Sequence, residues 1–120
     1  MNQGLEKQID QLNHKLRSLS EEQHQNQLAI QRQEQMEADF YEWKGRSCRL
    51  FDGILETWHN DRELRHFFHN MRQDAQQIER KLTYELEDKK ETLLKEKKNL
   101  SDLENDLYYQ RQNLAREVNS

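Results

Sequence analysis

The sequence predicts an all-α protein, an antiparallel two-helix hairpin that pairs like a coiled coil. Of its 120 residues, 35% are charged and 32% are hydrophobic, and none is proline. The dominant residues are Leu, Glu, Gln, Lys and Arg, which are strong helix formers. Apolar residues recur at heptad spacing in both halves of the chain. A helix-start signal near the midpoint then divides the chain into two helices.

The first helix is predicted over about residues 3–58. Its apolar stripe begins with Leu5, Ile9, Leu12, Leu16 and Leu19. The stripe fades through the polar stretch 20–27 and returns as Ile30, Met36, Phe40, Trp43, Leu50, Phe51, Ile54 and Trp58. Within the polar stretch, Gln23 and Asn26 either fix the register of the pairing or mark a place where the helices separate to admit a third. The sequence leaves both open.

A tight reversal is predicted at about residues 58–61. Asn60 is a favoured N-cap, and Glu63 stands three residues later, which is the spacing of a capping box. Asp61 and Glu63 would lie in the first turn of the new helix, where negative charge complements the helix dipole. We therefore expect a turn formed by Trp58, Asn60, Asp61 and Glu63.

The second helix is predicted over about residues 61–118, within a single domain spanning 1–120. Its stripe comprises Leu64, Phe68, Met71, Ala75, Ile78, Leu82, Leu86, Leu93, Leu100, Leu103, Leu107, Leu114 and Val118. The two arms are nearly equal in length, about 85 Å at 1.5 Å per residue. Each stripe residue of one arm is therefore expected to face a stripe residue of the other.

Two other arrangements compete with this hairpin. An uninterrupted helix in a parallel dimer would explain why neither Gly nor Pro ends the first helix. A break at Gly45 would instead give arms of very unequal length and leave much of the longer stripe without a partner. A glycine inside a helix costs only about 1 kcal/mol relative to alanine, so Gly45 is more simply an interior residue of the first helix.

A two-helix hairpin has little core, so we expect another helical surface to complete it in a four-helix arrangement, from a partner or from a second copy. Aromatic residues crowd around the predicted turn: Phe40, Tyr41, Trp43, Phe51, Trp58, Phe67 and Phe68. Adjacent pairs such as Phe67 and Phe68 cannot both point into one seam. These rings either cap the hairpin internally or form a docking surface, and we favour the docking surface.

No residue pattern indicates catalysis, so we expect a protein that is not an enzyme and needs no cofactor. His66 and His69 are spaced to share one helical face, with His59 near them, but no third ligand at a recognised spacing supports a metal site, and Cys48 lies in the other arm. The net charge of −4 does not favour nucleic-acid binding. The chain lacks a membrane-spanning apolar run and a signal-peptide core, so we expect a soluble, cytoplasmic protein.

The layout resembles the WxG-type small helical proteins of type VII secretion. The stretch "YEWKGRSCRLFDGILETWHNDRELRHFFHNM", followed by "KLTYELEDKK" and "LYYQRQ", is more similar to the accessory proteins encoded beside LXG-domain toxins in Gram-positive bacteria. This resemblance covers most of the chain and implies a helical hairpin. It also implies a targeting role, in which the protein binds the helical N-terminal LXG domain and helps deliver the toxin to the secretion machinery.

The chain departs from the WxG pattern in two places. Its literal W-x-G is Trp43–Lys44–Gly45, about fifteen residues before the predicted turn, and the turn itself has Asn60 where the pattern has Gly. The export signal of the superfamily is an aromatic residue followed four positions later by an acid, and Tyr84 with Asp88 matches it. This match lies within the second helix, whereas the signal usually follows it.

We therefore expect a non-enzymatic binding module, or targeting chaperone, for the helical domain of a secreted toxin. A second small helical accessory protein is a further expected partner, and co-export with the toxin is an open alternative to a purely cytoplasmic location. The rival hypothesis is a homodimeric coiled-coil scaffold or stalk of an export apparatus.

Overall fold

The protein is an antiparallel two-helix hairpin, as the sequence predicts. The computed structural model describes residues 3–119. Helix α1 spans Gln3–Thr57 and helix α2 spans Arg62–Asn119, and no strand occurs between residues 3 and 119. Gly45 and Gly53 both lie inside α1 without a positive φ angle. A continuous helix and a break at Gly45 are therefore both excluded.

The reversal occupies residues 58–61. Trp58 N donates to Ile54 O at 3.0 Å, and Asp61 N donates to Trp58 O at 3.1 Å. His59 Nδ1 lies 2.6 Å from Glu56 O, and because a carbonyl only accepts, the ring donates this hydrogen bond. Side chains and the turn itself thus satisfy carbonyls at the end of α1, which explains why no C-capping glycine is needed.

The predicted N-cap is wrong by one residue. Asp61 caps α2, because its Oδ1 accepts from Leu64 N at 3.0 Å and its carbonyl accepts from Arg65 N at 2.9 Å. The tight turn brings the Asp61 carbonyl to the position of the first helical acceptor, and a carboxylate caps as well as an amide does. Glu63 lies in the first turn but is not at the N3 position, so the predicted capping box with Asn60 does not form.

The hairpin divides into two compact units. The first, here called the leucine unit, combines the part of α1 up to Gln31 with the part of α2 from Glu91 onward. The second, here called the turn unit, is Arg32–Lys90 and contains the reversal. Their interiors differ in chemistry, so each is described separately.

The leucine unit has an apolar seam. Its core consists of the buried side chains Leu12, Leu19, Leu100 and Leu107, with Leu16 and Leu114 packed against them. Leu19 is only 3% exposed. Burying one such side chain stabilises the fold by about 2 kcal/mol. This packing is the heptad pairing that the leucine spacing predicts.

Asn26 resolves the ambiguity of the polar stretch 20–27. Its side chain is buried, and Nδ2 donates to the Leu93 carbonyl oxygen on the facing helix at 3.1 Å. The helices are therefore in contact at this point and do not separate. A buried amide whose partner lies on the opposite helix fixes the register of the pair.

The turn unit has a polar seam. Gln33 is buried, and its Nε2 donates to the Leu86 carbonyl oxygen at 2.8 Å. Lys90 Nζ lies 3.2 Å from Glu37 Oε2, and Arg72 Nη1 lies 2.8 Å from Asp52 Oδ1. No apolar side chain of residues 32–90 is buried. The hydrophobic residues of this unit are therefore half-buried or exposed. Neither helix within residues 3–119 has a stretch that is long and apolar enough to cross a membrane.

Candidate interaction surface

The positions that face the opposite helix in the turn unit follow from burial. We define the turn-unit seam as the buried and half-buried positions that recur every three or four residues. On α1 these include Gln33, Glu37, Phe40, Ser47, Phe51 and Ile54. On α2 they are Leu64, Phe68, Arg72, Ala75, Glu79, Thr83, Leu86 and Lys90. Much of this seam is polar or charged, so it contributes little hydrophobic stabilisation.

The large apolar side chains of the turn unit lie beside this seam. Six of the exposed ones stand one residue before a seam residue: Met36, Leu50, Phe67, Met71, Ile78 and Leu82. Trp43, also exposed, is seven residues from both Met36 and Leu50 and so lies on the same line along α1. We call these seven side chains the apolar face.

Helix geometry places both lines of the apolar face on one side of the hairpin. A residue is rotated by about 100° from its successor, in the same sense on every right-handed helix. Two antiparallel helices are related by a two-fold axis perpendicular to both, so an equal offset from the seam points to the same side on each. Met36, Trp43 and Leu50 of α1 therefore share a side with Met71, Ile78 and Leu82 of α2.

The register sets these side chains at matching heights along the turn unit. The hydrogen bond from Gln33 to Leu86 pairs the two helices at that level. Counted toward the turn from this level, Met36 is three residues along α1 and Leu82 is four residues along α2. Trp43 and Ile78 are ten and eight residues along, and Leu50 and Met71 are seventeen and fifteen. The face thus consists of three apolar pairs, with Phe67 nearer the turn.

The exposed apolar area is large for a monomer. The seven side chains are between 38% and 62% exposed. Taking about 200 Å² for a fully exposed large side chain, they present roughly 700 Å² in total. The largest apolar patch on a typical monomeric protein is about 300–600 Å². This area makes the apolar face the candidate interaction surface of the described residues.

The opposite side of the turn unit is polar. The residues that follow seam positions by one include Tyr41, Arg80, Tyr84 and Glu87. Lys44, Arg80, Tyr84 and Glu87 line one shallow groove there. The two sides of the hairpin therefore differ in chemistry, and only one is suited to hydrophobic docking.

The structure separates the seven predicted docking aromatics. Phe40, Phe51 and Phe68 are half-buried at the seam, whereas Trp43 and Phe67 belong to the apolar face. Phe40 stacks on Trp43 with ring centroids 6.0 Å apart, and Phe67 meets Phe68 edge-on at 5.4 Å. Phe40 and Phe68, two of the three seam rings, thus each support a ring of the apolar face.

The other two aromatics lie elsewhere. Tyr41 is exposed on the polar side, and Trp58 is exposed in the reversal. The predicted cluster is therefore not one continuous surface.

Six residues of the apolar face were predicted to lie in the seam, and that prediction is wrong. These are Met36, Trp43, Leu50, Met71, Ile78 and Leu82. In the turn unit, polar residues such as Glu37, Arg72 and Glu79 occupy the seam instead. The charged ends of Glu37 and Arg72 pair with Lys90 and Asp52, and long charged side chains can cover apolar surface with their aliphatic stems. The sequence did contain a signal for the correct seam. When the spacing of the leucine seam is continued along α1, it passes through Asn26, Ile30 and Gln33 and does not include Met36.

The candidate metal ligands do not come together, and each contacts a different neighbouring residue. His59 contacts the Glu56 carbonyl, and His66 Nε2 lies 3.4 Å from Asn70 Nδ2. Cys48 is exposed, and its Sγ accepts from Arg72 Nη2 at 3.4 Å. Within residues 3–119, no three His, Cys, Asp or Glu side chains are grouped to hold a metal ion.

Arg72 joins the two helices at the level of Cys48. The hydrogen bond that Arg72 donates to Asp52 is the main cause that raises the pKa of Arg72 above its ordinary value. The guanidinium is therefore charged at neutral pH. Arg72 thus links the two helices by an ion pair at a seam position. The core positions of the leucine unit are occupied by leucines.

The candidate export signal lies on the polar side of the hairpin. Tyr84 is exposed within α2, and Asp88 stands one helical turn later. Residues four apart share a helical face, so Tyr84 and Asp88 lie on the same face of α2.

Comparison with protein families places the whole hairpin in one group. The family model described as "Protein of unknown function (DUF3958)" matches residues 7–114. The chain belongs to the DUF3958 family. The match includes both units and the reversal, so the entire hairpin is the DUF3958 domain. Neither a curated protein nor a solved structure matches the chain.

Proposed function

We propose that this DUF3958 protein is a non-enzymatic binding module for the helical N-terminal domain of an LXG toxin of type VII secretion. The supporting observation is the apolar face of the turn unit, which presents two parallel lines of large side chains on one side. A helix that presents its own apolar residues at heptad spacing fits between such lines. The resemblance to LXG accessory proteins supplies the identity of the partner.

The seam supports this role because it joins the two helices without covering the face. Gln33, Arg72 and Lys90 join the helices by hydrogen bonds and ion pairs in the turn unit. The apolar side chains are consequently left for another molecule. Covering about 700 Å² of apolar surface is worth on the order of 15 kcal/mol before the costs of association.

The proposed binding is tested by titrating the purified chain with the helical N-terminal domain of an LXG toxin from the same organism, using isothermal titration calorimetry. Ile78→Lys places a charge in the centre of the face and should weaken binding by at least about a hundredfold. Leu103→Lys is the matched control, because Leu103 is also an exposed apolar residue of α2 but lies in the leucine unit. Absence of binding, or equal losses from both variants, would refute the proposal.

The targeting part of the proposal concerns Tyr84 and Asp88. If Tyr84 and Asp88 form the export signal of the complex, Tyr84→Ala should stop secretion of the toxin. The same substitution should leave the affinity for the toxin domain, measured by calorimetry, unchanged. Tyr109→Ala is the control, because Tyr109 is an exposed tyrosine of the leucine unit. Secretion that is unaffected by Tyr84→Ala would mean that the signal is supplied by another protein.

A further inference from the structure

Charged residues stand between the apolar side chains on both lines of the face. On α1, Arg32, Asp39 and Arg46 precede the seam residues Gln33, Phe40 and Ser47 by one, so they lie on the same side as the apolar face. On α2, Asp74 and Glu85 precede Ala75 and Leu86 in the same way. The α1 line thus carries two basic groups and one acidic group, and these two groups of the α2 line are acidic.

The two arginines occur at the same heights as the two acidic residues of α2. Counted from the level of Gln33 and Leu86, Arg46 is thirteen residues toward the turn on α1, and Asp74 is twelve on α2. Arg32 and Glu85 are each within one residue of that level. Arg32 and Glu85 therefore stand before the first apolar pair, and Arg46 and Asp74 stand between the second and third.

We propose that the free protein forms a two-fold homodimer through the apolar face, with the two-fold axis parallel to the helices. This operation keeps every residue at its height and lays α1 of one copy over α2 of the other. The partnered positions would be Met36 with Leu82, Trp43 with Ile78, Leu50 with Met71, Arg46 with Asp74, and Arg32 with Glu85. The face is therefore complementary to itself in hydrophobicity, and both of its arginines meet a carboxylate.

Gly53 fits the same arrangement. It lies on the side of the face, one residue before the seam residue Ile54, and nothing stands within 4 Å of a Cβ built on it. Gly53 is twenty residues from the Gln33 level, and Phe67 of α2 is nineteen. In the dimer, the bulky Phe67 ring of each copy would lie over the bare backbone at Gly53 of the other.

The available area is sufficient for a stable dimer. A standard protein interface buries about 800 Å² on each partner. The seven apolar side chains supply roughly 700 Å² of this area, and the bordering charged residues supply the remainder. This inference does not depend on the proposed toxin partner, which would compete with the second copy for the same face.

The test combines sedimentation equilibrium with charge reversal. The unaltered chain should dimerise, whereas Arg46→Asp and Asp74→Arg should each weaken self-association by at least about tenfold, because each puts like charges together twice in the dimer. Mixing the two variants should restore association, because the mixed dimer pairs Asp at 46 with Arg at 74 and Arg46 with Asp74. Contacts within one chain cannot produce this rescue.

A second pair of variants tests the apolar contacts. Ile78→Lys should make the chain monomeric, and Leu103→Lys should leave the dimer intact. A monomer at about 100 µM or failure of the mixed variants to associate would overturn the proposal.

Discussion

Asn26 and Gln33 are the buried polar side chains of the described residues, 3–119, and each donates to a carbonyl on the facing helix. The two donors are seven residues apart on α1, and their acceptors, Leu93 and Leu86, are seven apart on α2. A shift in register would leave both amides buried without their acceptors. These two residues therefore specify the alignment of the helices at some cost in stability.

At Asn26 the cost can be measured. Asn26→Leu should raise the free energy of unfolding by about 1 kcal/mol, because a leucine next to Leu93 adds apolar burial where the amide adds only a hydrogen bond. Asn26→Ala should lower it by about 1 kcal/mol, because the hydrogen bond is lost and nothing fills the space. Urea unfolding followed by circular dichroism measures both. A leucine variant less stable than the alanine variant would contradict this account.

Two leucines three positions apart on α2 provide the matching test of the apolar core. Leu100 is buried in the leucine unit, whereas Leu103 is 47% exposed. Leu100→Ala should destabilise the fold by about 2–4 kcal/mol through lost burial and a residual cavity. Leu103→Ala should cost less than about 1 kcal/mol. The midpoint temperatures of thermal unfolding of the two variants are compared. Equal midpoints would contradict the placement of Leu100 in the core and Leu103 outside it.

At the scale of the helices, the start of α2 shows how one hydrogen bond sets a boundary. Asp61 accepts from Leu64 N, and α2 begins at the next residue, Arg62. Asn60 lies in the turn, with an exposed side chain. Asn60 and Asp61 are both of residue types that cap helices well. Which of them is the N-cap depends on whose carbonyl the tight turn brings to the first backbone amides of α2.

Asp61→Ala should therefore destabilise the hairpin by about 1 kcal/mol, whereas Asn60→Ala should change stability by only a few tenths of a kcal/mol. Both variants keep the length of the turn, so each is a control for the other. Chemical unfolding at neutral pH measures the difference. A larger loss of stability from Asn60→Ala than from Asp61→Ala would contradict this assignment and favour the capping box predicted from the sequence.

The surfaces of the two helices were harder to predict than their ends. The heptad spacing identified Leu12, Leu19, Leu100 and Leu107 as core residues, and they are. In the turn unit, spacing alone could not decide between two adjacent lines, one polar and one apolar, because both recur at helical intervals. Hydrophobicity favoured Met71 and Ile78 for the seam, yet Arg72 and Glu79 lie there.

For the whole molecule, stability should be unequally distributed. The leucine unit buries its apolar side chains within one chain, and the turn unit does not. Hydrogen exchange measures the opening of each segment separately. A segment with little buried apolar surface opens more readily, unless another molecule covers it.

In dilute protein, the backbone amides of the leucine unit should exchange more slowly than those of the turn unit. Raising the protein concentration should slow exchange in the turn unit and leave the leucine unit nearly unchanged, because association covers only the apolar face. Mass spectrometry of peptides from 32–90 and 91–119 gives the comparison. Equal protection in both units of the dilute chain would show that the turn unit is stable without a second molecule.

The amino-acid sequence by itself determined that the chain is helical and that it reverses near its centre. It also determined that Leu12 and Leu19 of α1 pack with Leu100 and Leu107 of α2. These features depend on local propensity, capping chemistry and heptad spacing, all of which can be read along a single chain. Only the tertiary structure decided which residues face inward in the turn unit and that Asp61 rather than Asn60 caps α2. Those outcomes depend on the register of two distant segments, because the rotation of each helix is set by the hydrogen bonds that it makes to the other.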